Sequence, residues 1–307
     1  VIAAINAELN EPMRNTFGKF FFHDTYVIGQ WFWELETAPP WYKPAYKFVD
    51  ELWAPTRFIE QMLRNDSPHN VHVEYMPLPL RTPRVVETAR RTNLGLDDRF
   101  MFLFTFDFMS VAKRKNPMGL VEAFKKAFAP GDGPQLVLKC INGETRPEKF
   151  AALHRAAEGR DDITIMNRYL DPDMSAALMN LCDCYVSLHR SEGLGLTIAE
   201  AMLLGKPVIA TGYSGNLDFM TESTSFMVPW TRVKVGEDAE AYDANATWAE
   251  PDFDAAAAMM RQVYENPETA RSMAMAGKAD LEARFTPAAS GERMRARLEQ
   301  LWEGLER

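Results

Sequence analysis

Short apolar runs alternate with segments of helical periodicity along most of the chain, which is typical of an α/β fold with parallel sheets. In the first 95 residues, strands are predicted for the runs YVIGQWFWEL, ELWAPT and NVHVEYMPLPL. The pair Pro39-Pro40 is expected to begin a helix, and the residues that share one face of this helix are Trp41, Ala45, Phe48, Val49 and Leu52. Thr56 is expected to cap the following helix. Three or four strands are about half of a doubly wound domain, so we expect an incomplete N-terminal domain.

The pattern restarts after a stretch rich in proline and charge, from Pro77 to about Asp98, which predicts an interdomain linker. Further strands are predicted for RFMFLFTFDF, PQLVLKCI, DITIMNRYL, CDCYVSLH, GKPVIAT and finally SFMVPW. Asn116-Pro117 is expected to start one of the intervening helices, and Asp173 to cap another. From Phe253 to Leu305 the chain is mainly helical, with a break at Phe285 to Ser290.

This pattern predicts three parts. Residues 1–95 form the partial N-terminal domain, which is expected to lie on the side where an acceptor substrate binds, and the linker. Residues 96–285 form a complete doubly wound domain. Residues 286–307 form a C-terminal helix that packs back toward the N-terminal domain. The fold class is therefore α/β, with two Rossmann-like domains that face a cleft.

Composition and charge narrow the class of protein. The formal net charge of −9 argues against a nucleic-acid-binding protein, because phosphate backbones are bound by dense Lys and Arg surfaces. No apolar run approaches the roughly 18 to 20 residues that span a bilayer. The three cysteines lack the spacing of a zinc site, so we expect buried free thiols in a reducing cytoplasm.

The segment HRSEGLGLTIAEAM carries the strongest chemical signal. A strand ends near His189, a loop holds Gly193 and Gly195, and a helix is predicted from about Leu196 to Leu204. This order predicts a phosphate site, because helix amides then lie at the carboxyl end of a parallel strand. Glu200 sits on a largely apolar helix face, where an ionised carboxylate needs hydrogen-bond donors. The donors are either a pair of ligand hydroxyls or a nearby backbone amide or arginine.

The stretch SEGLGLTIAEAMLLGKPVIAT resembles the E-x7-E signature of family-4 retaining glycosyltransferases, which have the two-domain GT-B architecture. RKNPMGLVEAF and SGNLDFM resemble other motifs of that family. GQWFWELETAPP and DELWAPTRF resemble a subgroup that acts in polysaccharide and lipopolysaccharide assembly. The resemblance implies that Glu200 binds the ribose diol of a nucleotide sugar and that Glu192 binds hydroxyls of the donor sugar. It also implies that the diphosphate is bound by the backbone amides of Gly193, Leu194, Gly195, Leu196 and Thr197.

A second motif, MSVAKRKNPMG, also lies between a strand and a helix. Read alone, it is either a solvated basic turn or a phosphate site. The resemblance implies that Lys115 neutralises the donor diphosphate, and the arginine that the family places five residues earlier is here Ser110. Arg114 is expected to replace that guanidinium, with one hydrogen bond left to Ser110.

Further residues are assigned to the same cleft. Arg190 is expected to stabilise charge on the leaving group, and His189 to lie at the cleft mouth. The resemblance implies that the loop from Asn167 to Leu170, with Tyr169 and Leu170 at its end, reads the base. Gly215 and Asn216 are expected to close on the donor sugar. In the first half, strand alternation would put Glu34 on the face opposite Trp33, and we predict both as acceptor-side residues.

The resemblance implies a retaining hexosyltransferase that moves a sugar from a nucleotide-diphosphate sugar to a hydroxyl of a glycan or lipid-linked glycan, and the site residues above fit that expectation. GDP-mannose is the preferred donor on resemblance alone, and a mannosyltransferase is the corresponding enzyme. No Asp-x-Asp motif ends a strand, so neither a divalent metal nor another cofactor is expected. We expect a cytoplasmic protein, which a lipid-linked acceptor would bring to the inner face of the cytoplasmic membrane. The alternatives are a nucleotide-sugar epimerase, a phosphorylase of the same architecture, or a non-catalytic module that binds nucleotide or glycan.

Overall fold

The computed structural model describes residues 1–18, 23–86 and 88–305, and two parallel sheets organise most of them. The smaller sheet has the strand order β1-β2-β3-β4, with strands β1 (Ile2–Ala3), β2 (Ile28–Gly29), β3 (Glu51–Ala54) and β4 (His72–Tyr75). Its helices are α1 (Asn10–Phe17), α2 (Arg57–Asp66) and the 3-10 helices Ala7–Leu9 and Pro40–Phe48. Thr56 caps α2 as predicted, because its side chain accepts a hydrogen bond from the backbone amide of Ile59.

The strand predicted through YVIGQWFWEL is much shorter than expected, since β2 ends at Gly29. Beyond it the chain leaves the sheet, and the amide of Phe32 donates to the Asn6 side chain at 2.8 Å. The prediction that side chains of residues 30–35 alternate between the two faces of a strand was therefore wrong, because these residues are not in a strand. Trp31, Trp33 and Leu35 are nevertheless buried, as apolar residues of a packed loop.

The helix after Pro39 also differs from the prediction. It is a 3-10 helix that ends at Phe48, and Leu52 belongs to β3 instead. Pro44 lies inside this helix and cannot donate a backbone hydrogen bond, which disfavours a regular α-helix there.

The larger sheet contains six parallel strands in the order β10-β9-β8-β5-β6-β7. They are β5 (Met101–Asp107), β6 (Gln135–Ile141), β7 (Ile163–Asn167), β8 (Cys184–Ser187), β9 (Val208–Thr211) and β10 (Phe226–Val228). The connecting helices are α3 (Ala112–Lys115), α4 (Pro117–Ala127), α5 (Pro147–Ala157), α6 (Pro172–Leu181) and α7 (Leu196–Leu203). The strand order reverses between β5 and β8, and ligands of doubly wound sheets bind outside the carboxyl ends at such a reversal.

Short 3-10 helices follow three strands of this sheet, at Phe108–Ser110, Gly143–Thr145 and Gly215–Asp218. The predicted cap of α6 was wrong by two residues. Asp171 accepts a hydrogen bond from the amide of Met174 at 2.8 Å, while Asp173 lies in the first turn. The α/β class with parallel sheets is confirmed.

The run SFMVPW was wrongly predicted as the last strand. The chain continues into an antiparallel hairpin of β11 (Trp230–Lys234) and β12 (Thr247–Pro251), and then into α8 (Phe253–Glu265), α9 (Pro267–Arg284) and α10 (Pro287–Leu305). The helical break is shorter than predicted, because α10 already begins at Pro287. Residues 306 and 307 of the predicted C-terminal segment lie outside the described residues.

Helix α10 contacts the smaller sheet. Met294 and Leu301 pack against buried apolar side chains of that sheet, and Arg297 pairs with Glu51 at 2.7 Å. The stretch predicted as a linker is packed instead of extended, since Leu80, Leu94 and Leu96 are buried in the core of the larger sheet. The predicted domain limits themselves stay a prediction. Cys140, Cys182 and Cys184 are buried free thiols, as expected.

Candidate donor-binding cleft

Three loops meet at the carboxyl edge of the larger sheet, because β9, β8 and β5 are neighbours there. The Asn116 side chain donates to the carbonyl of Leu188 at 2.9 Å. The Arg190 amide donates to the carbonyl of Arg114 at 2.8 Å, and the Gly215 amide to that of Glu192 at 2.9 Å. These bonds hold the basic motif and the glycine loop in one fixed arrangement.

Glu192 binds both predicted cations of the cleft. Lys115 Nζ lies 2.5 Å from Oε1 and Arg114 Nη1 lies 3.0 Å from Oε2. Burial alone would raise the pKa of Glu192, but the two adjacent cations lower it to about 2. Glu192 is therefore ionised at neutral pH, and a carboxylate with this pKa is a poor general acid.

Arg114 is more deeply held than a solvated basic turn would be. It is 4% exposed, and it donates to the carbonyls of Ser191 at 2.9 Å and Ser110 at 3.2 Å. Ser110 thus contributes its carbonyl to the arginine. Because Arg114 is buried and the half-buried Lys115 is paired with Glu192, this motif is not a solvated basic turn.

The amino end of α7 presents a row of unpaired amides. Among the described residues, no protein acceptor takes a hydrogen bond from the backbone amides of Gly193 to Thr197. Gly195 has φ of +82°, which turns the chain into the helix and favours glycine. The Thr197 hydroxyl accepts a hydrogen bond from Tyr185 at 2.8 Å. Unpaired amides at a helix start are the groups that bind anions in other proteins, and the phosphate site predicted from this segment stays a prediction.

Glu200 lies one helical turn beyond Thr197 and is half-buried. Within the described part of the chain its carboxylate has neither a hydrogen-bond donor nor an ion-pair partner. Burial accordingly raises its pKa. The alternative in which a backbone amide or arginine binds Glu200 is therefore not what the structure has.

Gly215 allows the third loop to approach the glycine loop closely. A Cβ atom at Gly215 would collide with the carbonyl of Gly193. The neighbouring Ser214 hydroxyl accepts the Glu192 amide at 2.8 Å. Sequence reasoning missed Ser214, although it directly precedes the predicted Gly215.

His189 and Asn216, predicted as donor-binding, are both fully buried behind this loop. His189 Nε2 donates to the carbonyl of Tyr213 at 3.3 Å and to Asn216 Oδ1 at 3.1 Å, which leaves Nδ1 to accept from Ser187. Burial lowers the pKa of His189, so its ring stays neutral. The two side chains hold the loop in place through these bonds, and their predicted donor-binding role stays a prediction.

Arg190 is not part of the cationic cluster. Its guanidinium binds both oxygens of Glu250 on β12, at 2.6 and 2.8 Å, and the carbonyl of Lys113 at 2.6 Å. The hairpin that carries Glu250 was missed in the sequence, so this partner could not be foreseen. These bonds use three of the five N–H donors of the guanidinium, and the predicted catalytic role of Arg190 stays a prediction.

Glu34 and Trp33 line the cleft from the smaller sheet's side. The Glu34 carboxylate accepts from the Tyr242 hydroxyl at 3.0 Å and lies 3.8 Å from Arg114. The ring of Trp33 packs edge-on against Tyr242 at 5.2 Å. Glu34 thus faces the cationic cluster and Trp33 packs beside it on Tyr242, although β2 does not extend to either residue.

Glu36 forms a second link across the cleft that sequence reasoning missed. It pairs with Arg232 on β11 at 2.7 Å and accepts from the Tyr213 hydroxyl at 3.0 Å. The only signal was its position two residues after Glu34. Thr56 adds a third link, because its hydroxyl donates to the carbonyl of Gly193 at 2.9 Å.

The loop predicted to read the base follows β7. Tyr169 is 76% exposed, and Leu170 packs against the core. Asn167 accepts from the Gly143 amide at 3.2 Å and donates to Glu144 at 3.1 Å, which ties this loop to the one after β6. The backbone of this loop therefore lies at the same sheet edge as the other predicted site residues.

The described residues contain no group of three or more His, Cys, Asp or Glu residues that could hold a metal ion. Within residues 1–18, 23–86 and 88–305, no helix combines the length and apolarity needed to cross a membrane.

Comparison with solved structures supports the same architecture at low sequence identity. Sucrose-phosphate synthase from Thermosynechococcus elongatus matches with a TM-score of 0.71 at 19% identity, over 97% of this chain and 72% of that one. The Anabaena protein Alr3699/HepE in complex with UDP-glucose matches with a TM-score of 0.71 at 15% identity, over 96% and 77%. The α,α-trehalose 6-phosphate synthase from Burkholderia multivorans matches with a TM-score of 0.71 at 11% identity, over 100% and 70%. At these identities the likeness shows the fold, which is GT-B.

No curated protein sequence matches the chain. A family model described as "Glycosyl transferases group 1" matches residues 108–280, more than half of the chain. The matched region contains the basic motif, the glycine loop, Glu200 and the loop that carries Gly215. The chain therefore belongs to the group 1 glycosyltransferase family.

Proposed function

We propose that this glycosyltransferase moves a hexosyl group from a nucleoside-diphosphate sugar to a hydroxyl of a glycan or lipid-linked glycan, with retention at the anomeric carbon. Membership of the family gives the transfer of a sugar from a nucleotide-sugar donor. The hexosyl group, the acceptor, the retention and the roles of individual residues are the proposed part.

One observation carries the donor site: the unpartnered carboxylate of Glu200 stands one turn after five unpaired amides. A ribose diol would donate two hydrogen bonds to this carboxylate and so offset the free-energy cost of burying its charge. The diphosphate of the same nucleotide would accept from the amides of Gly193 to Thr197, at the positive end of α7. A nucleoside diphosphate thus supplies both of the groups that this helix lacks.

Lys115 and Arg114 are proposed to stabilise the negative charge that grows on the leaving diphosphate. Glu192 compensates one of their two positive charges and holds both side chains at defined positions. Such preorganised charge is the main catalytic device when the transition state is oxocarbenium-like. No described carboxylate is placed as an evident nucleophile, so we favour front-face displacement, in which the departing phosphate helps to deprotonate the acceptor.

The preferred donor is a UDP-sugar and not GDP-mannose. No feature of the described cleft favours GDP-mannose, whereas the HepE protein was solved with UDP-glucose. The assays should therefore begin with UDP-sugars and include GDP-mannose as one member of the panel. Glu34 and Trp33 remain the proposed acceptor-side residues.

Calorimetric titration with UDP, GDP and their sugars tests the donor site in the wild type, Glu200→Ala and the control Glu292→Ala, an exposed residue on α10. Loss of two hydrogen bonds to a charged group, each contributing about 1.5–3 kcal/mol, should weaken binding by at least about 100-fold in Glu200→Ala and leave the control unchanged. Absence of binding to any donor by the wild type would refute the proposed function. Equal binding by Glu200→Ala would refute the ribose assignment alone.

Product analysis tests the reaction. A transferase needs an acceptor, an epimerase converts the donor without one, and a phosphorylase needs inorganic phosphate. Turnover is expected to persist in EDTA, and loss of turnover that magnesium restores would contradict the proposed metal independence.

A further inference from the structure

A buried lysine, Lys139, lies on β6. Lys139 is 8% exposed, and within the described residues no acceptor or carboxylate forms a hydrogen bond or an ion pair with it. Burial lowers its pKa, as expected for a cation without a counterion in contact. A buried charge without a hydrogen-bond partner destabilises a fold, so such a lysine calls for a reason.

The sheet register fixes the face on which Lys139 lies. It pairs directly with Thr105 on β5, and paired residues of neighbouring strands point to the same face. The Thr105 hydroxyl is 3.1 Å from that of Tyr185, which donates to Thr197 on α7. Lys139 is therefore on the α7 side of the sheet.

The next residue confirms this orientation. Cys140 pairs with Phe106, and Phe106 belongs to an aromatic row that continues through Phe108 to Phe150 on α5. That row covers the opposite face of the sheet. Lys139 and Cys140 thus point in opposite directions, as alternate residues of a strand must.

The α7 side of this sheet edge is partly open to solvent. Thr105 and Asp107 on β5 are only half-buried there, as are Thr197 and Glu200 on the facing helix. The negative charge of Asp107 acts on Lys139 from a distance, but the two side chains form no ion pair. One oxygen of Asp107 instead accepts from the Met109 amide at 2.9 Å and from Asn142 at 2.8 Å.

Two groups of opposite charge on this side of the sheet thus lack a bonded partner among the described residues: the carboxylate of Glu200 on α7 and the ammonium of Lys139 on β6. We propose that Lys139 is a specificity-determining residue that donates a hydrogen bond to a carbonyl oxygen of the donor's base. This inference rests on the proposed function, because it places the ribose on Glu200 and the base beyond it.

The chemistry of an ammonium group gives the direction of the selection. It has three donors and no acceptor, so it favours a base edge with an exocyclic oxygen. Uracil and guanine present such an oxygen, whereas adenine presents an amino group that is itself a donor. The site should accordingly prefer uridine or guanosine diphosphates over adenosine diphosphate.

The test is calorimetric titration of UDP, GDP and ADP against the wild type, Lys139→Met and the control Lys43→Met. Methionine has a similar length without the charge, and Lys43 is an exposed lysine outside the cleft. The wild type and the control should bind UDP or GDP at least about 10-fold more tightly than ADP, as a charge-assisted hydrogen bond allows. Lys139→Met should lose most of this preference and bind ADP as the wild type does. Thermal unfolding should show Lys139→Met to be folded and no less stable.

Three results would overturn the inference while leaving the proposed function intact. The wild type could bind ADP and the oxo-base nucleotides equally, or Lys139→Met could keep the full preference. Equal weakening of all three nucleotides in Lys139→Met would instead assign the ammonium to a phosphate or to the ribose. Failure of the wild type to bind any nucleoside diphosphate would overturn both proposals.

Discussion

The buried ion pair between Glu51 and Arg297 joins β3 to α10 and gives the sharpest stability prediction. Glu51 is fully buried, and Arg297 donates to both of its oxygens at 3.0 and 2.7 Å. Trp53 and Tyr26 donate two further bonds to the carboxylate, at 2.7 and 3.0 Å. Burial alone would raise the pKa of Glu51, but these donors hold it below its usual value.

Arg297→Met removes the only cation that pairs with this carboxylate among the described residues. Breaking a buried pair by removing one partner costs about 3–5 kcal/mol, and the two remaining neutral donors put the expected loss near about 3 kcal/mol. At an unfolding entropy of about 2.1 cal/mol/K per residue, this corresponds to about 5 °C in Tm if the chain unfolds as one unit. Arg295→Met, which changes an exposed arginine on the same helix, should leave Tm nearly unchanged.

The pH dependence gives an independent check on the same reasoning. In the wild type the folded-state pKa of Glu51 lies below its unfolded value of about 4.5. Its contribution to the free energy of unfolding is therefore present above about pH 4.5 and is lost as the pH falls through the folded-state pKa. Without Arg297, burial should raise this pKa above the unfolded value, so acidification toward pH 5 should narrow the gap between variant and wild type.

Thermal unfolding followed by circular dichroism at pH 7.5 and pH 5 measures both effects. The expected difference in Tm between Arg297→Met and Arg295→Met at pH 7.5 is roughly 5 °C. A difference below about 1 °C would refute the stabilising role of the buried Glu51–Arg297 ion pair. A gap that widened on acidification would contradict the sign derived for Glu51.

Two further substitutions test the loops that shape the cleft. Gly215→Ala should weaken nucleotide binding and lower Tm, because its methyl group would collide with the Gly193 carbonyl, whereas Gly291→Ala in open space on α10 should raise stability by up to about 1 kcal/mol. The reverse order of the two variants in thermal unfolding would count against this packing. Thr56→Ala should destabilise the protein by about 1–2 kcal/mol, since it removes both the cap of α2 and the bond to Gly193, and Thr56→Ser should restore most of the loss. Urea unfolding measures this, and a change below about 0.3 kcal/mol in Thr56→Ala would contradict the double role.

The local pattern of the sequence determined most of the larger sheet. All six strands were predicted, because parallel strands buried on both faces read as short apolar runs. The helix after Gly195 was also predicted, since the glycine turn and the following apolar residues are local features. The apolar neighbours of Glu200 showed that its charge needs a partner whatever the fold, but left open whether that partner is a ligand or the protein.

Tertiary structure decided what the side chains of the cleft bind. The sequence does not reveal that Arg190 is taken up by Glu250, because the hairpin that carries Glu250 has no strong apolar pattern. It also cannot show that His189 and Asn216 are buried behind the loop, since a polar residue near a glycine motif can face either way. The burial of Lys139 follows from register with Thr105 and Met166, which is a relation among three strands.

In the first half of the chain, too, the sequence determined burial, and the tertiary structure determined the backbone conformation. The apolar residues of the segment 30–35 guaranteed its burial, because the hydrophobic effect depends on the area removed from water and not on the backbone form. Whether that burial is achieved in a strand or a loop depends on which backbone partners are available, and here Asn6 takes the amide of Phe32. The sequence by itself thus determined which residues leave water and which charges need partners, and only the tertiary structure decided which partners they have.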